Sequence, residues 1–190
     1  MDENVAKLKA SLSDQIWFTR KARIRTSERL LSNKFHLNLI LIWYSFITFS
    51  ISIYLIKKPD LFSEHTDVIM TLATGAVFTL SLFVPQLNLQ SRYEALKENY
   101  ISMQTLNSEL SLCTMKDEVL EIQRRYSALL SSVENHKSLD MLYFINFDAG
   151  SNCTRKLYFL EKLFLFFHVI FRKLLLVFIY SIPFSIIWFI

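Results

Sequence analysis

The sequence predicts an all-α membrane protein built from a two-span transmembrane hairpin, a cytosolic helical hairpin and a third, C-terminal span. Three observations predict it. Two stretches, 35–56 and 68–90, contain no Asp, Glu, Lys or Arg. Hydrophobic residues make up 52% of the chain, yet it has only 2 Gly and 3 Pro, too few of the residues that tight reversals need, so the elements must be long helices. Charge is segregated, gathering before, between and after the apolar runs. A length of 190 residues suits a small multi-span protein. The net charge of +4 is modest for nucleic-acid binding, and its placement carries more information than its size.

Residues 1–34 form an N-terminal basic helix on the cytosolic side, with Leu8, Leu12, Ile16 and Trp17 along one side. The stretch "IWFTRKARIRTSERL" places Arg20, Lys21, Arg23 and Arg25 close together and adds Arg29. Cytoplasmic flanks of spans carry an excess of Lys and Arg. The leader holds Lys7, Lys9 and Lys34 besides those five, whereas the connection after the first span holds only Lys57 and Lys58 against three acids. The first span is therefore expected to run from inside to outside and the second to return. The same side chains suit anionic headgroups, and direct nucleic-acid binding is the disfavoured alternative. The leader is too long for a cleavable signal peptide, and no small-residue cleavage site follows it.

The membrane hairpin is expected over 35–90. "FHLNLILIWYSFITFSISIYLI" (35–56) and "VIMTLATGAVFTLSLFVPQLNLQ" (68–90) each exceed the ~20 residues needed to cross ~30 Å of hydrocarbon. The linker "KKPDLFSEHTD" is short enough to force an antiparallel pair. In the first span Asn38, Ser45, Thr48 and Ser52 share one side; in the second Thr71, Thr74, Ser81 and Asn88 do, with Gly75 beside them. Small and hydroxyl residues let helices approach and bond across the gap. The same groups would line a water path if several subunits gathered. Both readings stand, and neither excludes the other.

Residues 91–162 read as a cytosolic helical region. Leu89, Tyr93, Leu96, Tyr100, Met103, Leu106 and Leu110 make one face of a helix continuing from the second span. Val119, Ile122, Tyr126, Leu129 and Val133 make a second face, after a turn with Thr114 as N-cap and Asp117 or Glu118 near the first turn. Glu118 and Glu121 are otherwise expected to be solvated. "SVENHKSLDMLYF" suggests a polar turn into a short amphipathic element, and "NFDAGSNCT" is the most loop-like stretch.

Residues 163–190 form the C-terminal membrane segment. Leu174 to Ile190 is 17 residues, ~25 Å of helix, marginal for a span unless Arg172 and Lys173 snorkel to the inner interface. Leu163 to Phe171 would then lie along the inner surface. A third span with the C-terminus outside is favoured over a re-entrant or surface-lying segment.

No catalytic, cofactor or metal motif is present. His36, His65, His136 and His168 are scattered, no Gly-rich phosphate loop or nucleophile elbow occurs, and Cys113 and Cys153 match no metal spacing. The two thiols read as buried and structural. Asn152-Cys153-Thr154 fits the glycosylation pattern but lies on the cytosolic side of this topology. The protein is therefore expected not to be an enzyme and to need no cofactor.

"WFTRKARIRTSERL" before the hairpin, "RYEALKENYISMQTLNSEL" after it and "EVLEIQRRYSALLSSVENHKSLD" further on resemble the SLATT family, two-transmembrane effector domains of bacterial nucleotide-signalling and related conflict systems. The most specific pieces are Arg20-Lys21-Ala22-Arg23, Arg92-Tyr93 and Arg125-Tyr126 with Glu134-Asn135-His136. The C-terminal apolar segment is similar to the subgroup related to accessory proteins of reverse transcriptases. The resemblance implies a multi-pass inner-membrane effector of an antiphage, abortive-infection type. It would oligomerise and permeabilise the membrane when released by a sensor, either a reverse transcriptase with its RNA and DNA or a nucleotide-signalling enzyme. The alternative is a non-conducting membrane anchor that recruits such an enzyme.

Overall fold

The computed structural model describes residues 3–59, 65–149 and 156–187. Among them there is no strand. The helices are α1 (Glu3–Leu55), α2 (Thr66–Gln86), α3 (Leu89–Leu112), α4 (Lys116–Ser131), α5 (Ser138–Tyr143, extended by a π-helical turn over Phe144–Asp148) and α6 (Phe159–Ile187). Three helical stretches, Glu3–Leu55, Thr66–Leu112 and Phe159–Ser185, contain windows long and apolar enough to cross a membrane. The glycosylation tripeptide, Cys153 and most of "NFDAGSNCT" lie outside the described residues.

The chain divides into two compact units, Met1–Leu31 with Gln90–Leu165, and Ser32–Leu89 with Phe166–Ile190. α1 is one helix of 53 residues that passes through the leader–span boundary without a break. No Gly or Pro occurs before Pro59, so nothing in the covalent chain interrupts the hydrogen-bond ladder.

The helix expected to continue from the second span is instead broken. α2 ends at Gln86, and Asn88 takes a left-handed φ of 48°. Pro85 stands in the last turn of α2, and the amides of Leu87 and Asn88 close short bonds onto the carbonyls of Val84 and Pro85. Asn is among the few non-glycine residues that adopt this conformation readily, which is why the reversal of local geometry falls there.

The first unit packs its helices around a core of Val5, Leu12 and Ile16 from α1, Met103, Leu106 and Leu110 from α3, and Val119, Ile122 and Tyr126 from α4. Both expected apolar faces therefore point inward, and Leu8, Cys113 and Leu129 close the cluster. Ile16 and Met103 are completely buried, each contributing roughly 1.5–3 kcal/mol of burial free energy. A second cluster joins Phe144, Ile145 and Ala149 to Trp17, Phe18, Met141 and Leu157. α4 starts one residue later than expected, with Met115 at the N-cap. Glu118, rather than being merely solvated, accepts the Thr114 and Met115 amides at 2.8 and 3.0 Å.

In the second unit α1 and α6 run in the same direction. Contacts climb both helices together: Arg172 donates to Ser32 Oγ and Asn33 Oδ1 at 3.0 and 2.9 Å, and His36 Nδ1 meets the Tyr180 hydroxyl at 3.2 Å. Trp43 packs on Phe184 and donates to the Tyr180 carbonyl at 3.3 Å, and Tyr44 donates to that of Ile179 at 2.8 Å. α6 is continuous from Phe159, so Leu163–Phe171 and the expected span from Leu174 belong to one helix. In α2, only Thr66 is buried among the described residues.

Candidate functional site

The segments expected to be most specific converge within the first unit. The hub is Arg23, 1% exposed although it carries a guanidinium. Its Nη1 donates to Asn99 Oδ1 and, at 2.9 Å, to the Leu129 carbonyl; its Nη2 donates to the Leu130 carbonyl at 2.9 Å. Those carbonyls belong to the last turn of α4, where no intrahelical amide remains to satisfy them and a cation is favoured by the helix dipole. Asn99 Nδ2 also donates to Leu129 O at 2.8 Å and Ser132 Oγ at 3.0 Å. Burial pulls the Arg23 pKa below its usual range, partly offset by Tyr126.

Two turns along α1, Arg29 forms a fork on Asp140, with Nε to Oδ1 at 2.8 Å and Nη2 to Oδ2 at 3.0 Å. Thr26 donates to the same carboxylate at 2.9 Å, and the Lys137 amide does so at 3.1 Å, which makes Asp140 the acid of the first turn of α5. Burial alone would raise this carboxyl; Arg29, the Lys137 amide and Thr26 together hold it below the ordinary range. Arg92 grips Glu134 from α3, with Nη2 to Oε2 at 2.6 Å. The connection between α4 and α5, residues 132–137, is thus pinned from α1 and α3. His136 lies half-buried in that connection, and its Nδ1 makes no hydrogen bond among the described residues. Burial and then the charge of Arg23 lower its pKa, against an opposing pull from Asp140.

The other basic residues divide. Arg25 pairs with Glu28 and with Asp148 Oδ2 (2.9 Å), and stacks over the Tyr143 ring at 3.9 Å. Arg20 and Lys21 are partly exposed and Lys173 is exposed, whereas Arg172 is held by Ser32 and Asn33. In the spans, Asn38, Ser45, Ser52, Thr71, Thr74, Gly75, Ser81 and Asn88 are exposed and Thr48 is partly so. Ser52, Thr74 and Ser81 donate to carbonyls of their own helices at 2.7–2.9 Å, and a Cβ built on Gly75 would meet nothing within 4 Å. Those three hydroxyls are therefore satisfied within their own helices while remaining exposed.

Asn99, Thr26 and Asp140 were not singled out by sequence. Asn99 carries a readable signal: it falls between Leu96 and Met103 on the apolar face of α3, where a polar residue must find a buried partner.

These features define a membrane-anchored all-α protein with a buried polar clamp in its first unit and three helical stretches long and apolar enough to cross a membrane. The chain belongs to the SMODS and SLOG-associating 2TM effector domain family 5, whose model matches residues 5–190. No curated protein and no solved structure matches it. The family description counts two transmembrane segments, and α6 adds a third helix of sufficient length and apolarity.

Proposed function

We propose that this effector-family member sits in the inner membrane with its N-terminus in the cytosol, assembles as a homo-oligomer and permeabilises the bilayer when a sensor releases it. The observation that carries this is α2: its span-length apolar window has no buried residue, and its hydroxyl stripe faces away from the chain. One copy has too few span-length helices to enclose a channel, so conduction needs further copies around that uncovered face. The shared direction of α1 and α6 supports a C-terminus on the periplasmic side. Topology and headgroup roles suit Arg20, Lys21 and Lys173, which are partly or fully exposed. Direct nucleic-acid binding is disfavoured because Arg23, Arg25 and Arg29 are engaged by their own chain, leaving the sensor to hold any RNA or DNA.

Induced expression with the cognate sensor triggered should dissipate membrane potential, read with a potential-sensitive dye. Ser45→Leu with Thr74→Leu should weaken the effect. Intact potential under triggering overturns the conducting reading. The anchoring alternative is supported by an open groove of about 540 Å³ lined by Ser102, Thr105, Leu106, Arg125, Ala128, Leu129 and Ser132, which offers a docking place for an enzyme. Replacing the spans by an unrelated set separates the two, because an anchor keeps its function and a pore loses it.

A further inference from the structure

α6 has 29 residues, ~43 Å of helix, well beyond the ~30 Å hydrocarbon core but equal to the bilayer with its headgroup zones. Its outward side chains are arranged accordingly. Leu160, Phe164, Phe167, Phe171, Leu174 and Phe178 recur at spacings of 4, 3, 4, 3 and 4, and all are exposed. On the opposite face Leu165 and Pro183 are buried. The stripe passes Arg172 and Lys173 without a polar interruption, so the surface before those two residues has the same character as the surface after them. The helix start is fixed: Glu161 accepts the Tyr158 amide at 2.9 Å. Tyr158, three-quarters exposed, and Lys162 stand one turn apart at the helix start on the face opposite the stripe, the residue types that anchor a helix in the headgroup region.

We propose that the first turns of α6, through Leu160, Leu163 and Phe164, are a lipid-docking surface seated in the headgroup and upper acyl zone of the inner leaflet. An aqueous setting would leave this apolar strip in water, which soluble surfaces avoid. A lipid occupant is favoured over a protein one because the strip continues, residue by residue, into the part of the helix that crosses the hydrocarbon. The proposal rests on the membrane location of α6 and not on conduction.

The test uses the full chain with Cys113→Ser and Cys153→Ser, reconstituted in vesicles of phosphatidylcholine and phosphatidylglycerol. A single cysteine at Leu160→Cys or Phe164→Cys carries an environment-sensitive fluorophore. Both positions should emit blue-shifted light, lose most of it to lipids bearing a nitroxide near the headgroup, and resist a water-soluble nickel quencher. Quenching by nickel, or shielding from both quenchers as a protein cover would give, overturns the proposal. A Phe178→Cys label serves as the reference: if lipid nitroxides fail to reach it, the membrane reading itself falls, whereas quenching at 178 alone refutes only the docking surface.

Discussion

The unit of Met1–Leu31 and Gln90–Leu165 and the unit of Ser32–Leu89 and Phe166–Ile190 treat their side chains in opposite ways. The first buries charge and answers it from within: Arg23, Asn99 and Asp140 are all at most 4% exposed, and each has partners in its own chain. The second holds its polar contacts between α1 and α6 but leaves Leu72, Phe78, Leu82 and Phe83 of α2 more than half exposed. The difference teaches where each unit looks for its solvent. One closes its buried core within a single copy. The other is complete only when lipid or further protein surrounds it.

The sharpest way to break that contrast is to damage the complete unit. Ile16→Ala should destabilise the full chain by about 3 kcal/mol, from lost transfer energy plus a cavity, read by denaturation in detergent. Asp140→Ala should cost about 2 kcal/mol, a figure reduced because Arg29 is partly exposed to water; hydrogen exchange should show α5 releasing first. The clamp also sets a pH dependence. His136 and Asp140 both have folded pKa values below their ordinary ones, so the unfolded state binds more protons as pH falls. Stability should be full above pH ~6.5, decline below that as His136 contributes less, and decline again near and below the ordinary carboxylate range. A midpoint that is flat across this window would remove both groups from the account.

The remaining predictions sharpen the contrast from the other side. Tyr44→Phe deletes the bond to the Ile179 carbonyl and should cost about 0.6 kcal/mol, measured by thermal stability in lipid. Gly75→Ala should cost the single copy nothing: space is open there, and Ala favours the helix by up to ~1 kcal/mol. Cross-linking after this substitution reports assembly, and loss of oligomers without loss of stability would mark α2 as the face that meets another copy.

Much of this was legible in the sequence because periodicity and charge are local. The spans followed from charge-free length, and the inward faces of α3 and α4 from apolar residues at spacings of 3 and 4. The clamp was less legible. Arg29 and Asp140 are 111 residues apart, and two of the groups Arg23 binds are main-chain carbonyls that no letter distinguishes. The same arginines read as an orientation signal because the leader's charge is visible and its partners are not. The break at Asn88 was masked for a further reason: apolar spacing runs straight through it, and Pro85 was its one signal in the sequence.

The partners of α1 in the second unit lie 135–144 positions further along the chain. At ~5–20 residues per second, a ribosome makes these partners in α6 roughly 7–29 seconds after the α1 residues they meet. For that interval Trp43 and Tyr44 have neither carbonyl to bond. The last helix made is therefore the one that closes the first.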